Sequence, residues 1–210
     1  MLGIFMTGCQ TSIVKPSVLD NPVCAPPCWE KITPGLTTRL DALNLIKIYK
    51  YLQKDSLRDY AAPWQGFNDL VVASFQLDTQ TVTYLDIYFL NDKVAIISFQ
   101  ASWSLTLDQA INRLGKPTNI IVNQVQGQEY VELFSPTQGI AFGYIDSAPW
   151  WGNAKIGSDN TINQLDYFSP EGYQAMLDDR LLAYGSVETG DLSKKIEPWN
   201  GYGDLSQYEK

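Results

Sequence analysis

Imidazole chemistry is closed to this chain, because its 210 residues include no histidine. Ser/His/Asp and Cys/His nucleophile systems, imidazole metal sites and the commonest general base near neutral pH are excluded with it. The reactive side chains that remain are three cysteines, Cys9, Cys24 and Cys28, and a set of carboxylates. Cys24-Ala25-Pro26-Pro27-Cys28 is a C-x3-C loop with no second cysteine pair to complete a zinc site. It lacks the C-x-x-C spacing of a redox centre, and its two prolines stiffen an irregular segment. A structural disulfide is expected, and closing so short a loop contributes about 2 kcal/mol or less. The alternative is a pair of reduced thiols packed near Trp29.

The carboxylates offer little acid-base equipment. Asp178 and Asp179 are neighbours on an expected helix and point about 100° apart, as on a solvated face. Glu129 and Glu132 fall on opposite faces of a strand. Asp159-Asn160 holds oxygen ligands, but without the alternating acids of a calcium loop it reads as a turn. Phosphate-cradling glycine patterns are absent from the sequence. Ser12-Ile13-Val14-Lys15 matches an acyl-transfer pattern, but lies in a leader rather than at a helix start in a cleft. No catalytic residue, metal, nucleotide or other cofactor is expected. The binding candidates are aromatic: Trp150 and Trp151, placed in a loop by Pro149 and Gly152, and Trp199 and Tyr202 in the Gly-rich tail. Exposed, such rings stack on a sugar or anchor a protein contact; the other reading of Trp150 and Trp151 is that they cover the open end of a sheet. Trp64 and Trp103 read as core edges.

The elements that must position these groups follow from pattern. A sequence with 45% hydrophobic and 18% charged residues is globular, and 15 basic against 23 acidic residues, a net charge of -8, disfavours nucleic acid as partner. Residues 38–46 (TRLDALNLI) recur as 106–114 (TLDQAINRL) at an offset of 68 residues (106 minus 38). Each copy places a threonine before an apolar helix with an acid or amide three residues on, Asp41 and Gln109, approximating a capping box. The second helix should stop at Gly115-Lys116-Pro117 and the first should run to about Gln53.

After each helix the apolar period becomes two. Strands are expected over 68–77, 81–90 and 93–101, with a hairpin at Asn91-Asp92, and again over 120–125, 129–134 and 140–145. A strand over 162–168 then precedes a third helix that starts at Ser169-Pro170-Glu171, ends at Gly185 and carries Tyr173, Met176, Leu177, Leu181 and Tyr184 on one stripe. The expectation is an α+β protein of two tandem helix-plus-antiparallel-meander units, 22–102 and 103–185. Their helices should cover one sheet face, and an aromatic-anchored tail, 186–210, should follow.

The start of the chain, Met1-Leu2-Gly3-Ile4-Phe5-Met6-Thr7-Gly8-Cys9, resembles a bacterial lipobox. The resemblance implies a signal remnant over 1–8, a lipidated Cys9 and a tether over 9–21. A full signal is longer and has a basic start, so a start codon further upstream is expected; the alternative is an apolar stub with a buried cysteine. Gly35-Leu36-Thr37-Thr38 and the Leu114-Gly115-Lys116-Pro117 exit resemble the small envelope lipoproteins of the outer-membrane assembly and integrity family, whose fold is shared with the tandem-domain β-lactamase inhibitor proteins. Pro27-Cys28-Trp29, Ile32-Thr33-Pro34-Gly35 and Trp199-Asn200-Gly201-Tyr202-Gly203 also resemble lipoproteins of filamentous green non-sulfur bacteria. These resemblances imply a scaffold and an address: a chain held by its N-terminal lipid on the extracytoplasmic face of the cell membrane. The function expected there is non-enzymatic interaction with another envelope protein. The alternatives are glycan or inhibitor-like ligand binding through loop aromatics and, more weakly, carboxylate-dependent hydrolysis.

Overall fold

The computed structural model describes residues 23–53, 55–60, 69–76, 82–101, 105–125, 128–146, 155–183 and 195–208. Cys9, Trp64, Trp103, Trp150 and Trp151 lie outside them, as do the expected signal remnant, the tether, and the side chains of Asp178 and Asp179.

The first helix, α1 (Arg39–Lys47), starts where Thr38 Oγ1 accepts from the Asp41 backbone N–H at 3.2 Å. Its counterpart α2 (Leu107–Leu114) has a complete capping box: Thr106 Oγ1 accepts from the Gln109 N–H, and Gln109 Oε1 accepts from the Thr106 N–H. Gly115, at φ 101°, ends α2 in a conformation that a Cβ would strain. α1 is shorter than the expected run to Gln53. Beyond Lys47 the chain leaves the helix because Leu52 bridges Phe75 and the Gln53 N–H donates to the Ser74 carbonyl. Tyr49 and Tyr51 also turn inward as a ring pair, Tyr49 packing edge-on to Trp29 and Phe75.

The strands are β1 (Arg58–Tyr60), β2 (Asp69–Gln76), β3 (Val82–Leu90), β4 (Lys93–Ala101), β5 (Asn119–Val125), β6 (Gln128–Ser135), β7 (Ile140–Asp146), β8 (Lys155–Ile156), β9 (Gln164–Phe168), β10 (Glu197–Pro198) and β11 (Gly203–Asp204). Asn91 and Asp92, at φ 53° and 60°, make the two-residue turn between β3 and β4. α3 (Pro170–Ala183) follows β9, and a 3-10 helix, Leu205–Tyr208, follows β11.

Nine of these strands form one antiparallel sheet in the order β1-β2-β3-β4-β9-β7-β6-β5-β10. The two expected meanders are therefore parts of one sheet and not of two: β9 lies between β4 and β7 and joins both. Without β9, β4 and β7 would each present a buried row of unpaired backbone groups, which a protein interior does not tolerate. The molecule is α+β, with the sheet dominant.

The 68-residue offset persists through this joint. The Arg39 N–H donates to the Asp92 carbonyl, and 68 residues on, the Leu107 N–H donates to the Asn160 carbonyl. Val94 N–H to Thr37 carbonyl repeats as Ile162 N–H to Leu105 carbonyl. The bridge between Thr38 and Lys93 repeats as Thr106 and Thr161. In the central pair Ser98 faces Asp166, again 68 apart (166 minus 98), and Ile97 faces Tyr167 as Phe99 faces Leu165. Each of those last two pairs is the offset image of the other.

The helices that open the two halves share one sheet face, as expected, and the C-terminal helix takes the other. α1, α2, Trp29, Ile32 and the 3-10 helix pack on the face that carries Phe75, Ile87, Phe99, Leu133 and Tyr167. α3 packs on the opposite face, where Tyr173 and Leu177 meet Ala95, Ile96, Phe134, Ala141 and Phe168. The cause lies in the central strands: residues 94–99 and 164–168 are buried throughout, so both faces are covered there.

Candidate functional site

Cys24 and Cys28 are joined as a disulfide with Cα atoms 5.7 Å apart. The bridge leads directly into Trp29, which pairs with Ile32 across a tight turn and stacks on Phe75 at 5.8 Å between ring centroids. The bridge is thereby tied to the core at its Cys28 end, while Ala25 in the loop stays exposed.

The most chemically unusual group of side chains lies on the α3 side of the sheet. The register aligns Asp86 on β3, Ser98 on β4 and Asp166 on β9 in one row across three strands. Alternation sends all three to the face opposite Leu85, Ile87 and Phe99. Asp166 is 1% exposed. Its carboxylate accepts from Gln164 Nε2 at 3.2 and 3.0 Å and from Ser98. Tyr130 OH in turn donates to Gln164 Oε1 at 3.3 Å. Gly143 makes that reach feasible, since a Cβ there would stand 2.9 Å from Tyr130 OH.

Removal from water pushes the Asp166 carboxyl up to about 7, opposed by the hydrogen bonds from Ser98 and Gln164 and reinforced by the charge of Asp86. Burial pushes the partly buried Asp86 up to about 6. Such values suit proton transfer near neutrality, but a group this inaccessible cannot touch a substrate. The charge state of Asp166 therefore bears on folding.

Sequence reasoning missed Asp86 and Asp166 because each sits at an alternating strand position that normally faces water. The signal available was the offset, which carries Ser98 onto Asp166. Of the carboxylates singled out by sequence, Glu132 is buried on the α3 side opposite Gly143, and Asp159-Asn160 closes a turn in which the Asn160 N–H donates to the Gly157 carbonyl at 3.3 Å. Among the described residues no three His, Cys, Asp or Glu side chains cluster as metal ligands.

The aromatic candidates separate. Trp199 is only 8% exposed: it continues from β10 on the outer edge of β5, its N–H donates to the Thr118 carbonyl, and Lys116 Nζ lies 5.5 Å from its ring centre. It anchors the tail. Tyr202 packs edge-on to Trp199 at 5.8 Å and donates to Asp108 on α2, yet remains 43% exposed. The structure does not bring either to Cys24 or Cys28. A cavity of about 210 Å³ lies elsewhere, between Gly35, Lys93, Ser169 and Glu171 at the start of α3.

A third surface escaped sequence reasoning altogether. Leu36 in the turn before α1, Leu40 on its outer side and Ile48 at its C-cap are 74%, 67% and 78% exposed. No described helix is long and apolar enough to cross a membrane. Comparison with family models, curated proteins and solved structures gives no match to this chain.

Proposed function

We propose that the chain is a lipid-anchored extracytoplasmic protein that holds another envelope protein and does not catalyse a reaction, and that its two halves arose from one helix-plus-meander unit used twice. The observation that carries the address is the Cys24–Cys28 disulfide close behind Gly8-Cys9. Persistent disulfides belong to oxidising compartments, and bridging that pair leaves Cys9 as the single thiol for an acyl chain. The lipobox-like residues and the likeness to envelope lipoproteins support the same reading. The repeated helix caps, backbone bonds and central register at one offset support the duplication. In favour of a holder over a catalyst, the Asp166 carboxylate is buried within the sheet and not presented to solvent.

The experiment is metabolic labelling with a fatty acid in the native host, comparing the full chain with Cys9→Ser. The reading expects label on the wild-type chain, none on the variant, and release of most of the variant from salt-washed membranes. An unlabelled wild-type chain refutes it.

A further inference from the structure

We propose that the outer side of α1 lies on an anionic lipid surface, so that the domain rests against the bilayer that anchors it. The proposal deepens the anchored reading and rests on it. Its first support is the concentration of apolar exposure. Of the seven large hydrophobic residues exposed among the described ones, three fall within residues 36–48. Leu40, Asn44 and Ile48 stand at i, i+4 and i+8 and are all exposed, one outward stripe that ends at the C-cap; Leu36 is exposed in the turn before the helix.

The second support is an internal control. At the 68-residue offset, Leu40, Asn44 and Ile48 correspond to Asp108, Asn112 and Lys116 on and just after α2. There the outward side is polar, and the chain's own tail touches it: Tyr202 bonds Asp108 and Lys116 lies over Trp199. The same architecture thus accepts Asp and Lys where α1 carries Leu and Ile. Leu40 and Ile48 are not needed to pack the core, which α1 contacts through Ala42, Leu43 and Ile46.

Charge and tether select a lipid surface over a protein. Lys47 and Lys50 are exposed at the C-terminal end of α1, and exposed Lys31 sits on the turn held beside it by the Trp29–Tyr49 contact. Against them stand exposed Asp41 and the partly exposed Glu30. In a chain of net charge -8 this is a local basic margin beside an apolar stripe, the combination that binds headgroups and the acyl boundary. The described chain begins at Val23, followed by the Cys24–Cys28 bridge and Trp29 beneath the same helix end. Val23 is 14 residues from Cys9 (23 minus 9), so the two lie at most about 50 Å apart whatever the chain between them does. A lipid on Cys9 therefore keeps this end of α1 within reach of the membrane.

The test uses the full-length chain with Cys9→Ser, so that no acyl chain contributes, and vesicles of phosphatidylcholine with about 30% phosphatidylglycerol or of phosphatidylcholine alone. The expected result is stronger partition onto the anionic vesicles, with a drop of about tenfold for Leu40→Ser/Ile48→Ser. Hydrogen exchange in residues 36–50 should slow when anionic vesicles are added and stay unchanged in that variant. Partition equal in the two proteins overturns the proposal. So does a wild-type dimer that the double substitution dissociates without altering vesicle binding, which would assign the face to a second copy. Because the assayed protein is unacylated, a failed Cys9 labelling experiment and a failed vesicle experiment are separate outcomes.

Discussion

Replacing Asp166 with asparagine should reverse its effect on stability between acid and neutral pH. Burial holds the folded-state carboxyl near 7 against an ordinary value of 3.8. Below about pH 4 both folded and unfolded chains carry the proton, and the native state keeps its full stability. As pH rises from about 4 to 7, the unfolded chain releases that proton while the folded chain retains it. Stability then falls by about 1.4 kcal/mol per pH unit until the folded group ionises, and levels off above. About three units correspond to a loss of roughly 4 kcal/mol at neutral pH, an upper value because Asp86 ionises in the same window and each charge disfavours the other. The amide introduced by Asp166→Asn cannot ionise, but its N–H2 group needs an acceptor where the carboxylate accepted from Ser98 and Gln164. That mismatch costs about 1–3 kcal/mol at every pH. The variant should therefore be less stable than wild type at pH 4 and more stable, by about 1–3 kcal/mol, at pH 8. Urea unfolding followed by tryptophan fluorescence from pH 4 to 8 measures the difference curve and cancels the remaining acids. A variant destabilised equally at both ends would refute the reasoning, because Asp166 would then already be ionised in the folded protein at acid pH.

Gly172→Ala should destabilise the protein by about 1–3 kcal/mol, although helix propensity alone would favour alanine by about 1 kcal/mol. The added Cβ would stand 2.3 Å from the Ala95 carbonyl oxygen and lift α3 off β4, as a lowered thermal midpoint and faster exchange in α3 would show. Thr106→Ala removes one half of the α2 capping box, and chemical denaturation should report a loss of about 1 kcal/mol. Phe75→Ala should cost about 3–5 kcal/mol by the same measurement, since its fully buried ring contacts Trp29, Tyr49 and Phe99.

Local pattern made much of the fold legible. Thr38 and Thr106 mark the two helix starts, and alternation marks β2 to β7 and β9, because caps and period-two burial are written within a few residues. What escaped depends on contacts distant in sequence. The length of α1 is set by Leu52 pairing with Phe75 and the turn of Tyr49 and Tyr51 into the core. The single sheet depends on β9 pairing with strands on both sides, which no local window can display. The burial of Asp166 comes with its place on β9, paired on both sides by β4 and β7 at the centre of the sheet, so its alternation gave no warning. The stripe of Leu40 and Ile48 is visible as apolar residues, but only the packing of α1 through Ala42, Leu43 and Ile46 shows that it faces outward.

The most direct measurement is the intact mass of the protein extracted from its native membrane, before and after reduction. The account predicts a chain that begins at Cys9, carries diacylglyceryl and acyl mass on that residue, and gains the mass of two hydrogens on reduction as the Cys24–Cys28 bridge opens. A chain that retains residues 1–8 with an unmodified Cys9 thiol would contradict it.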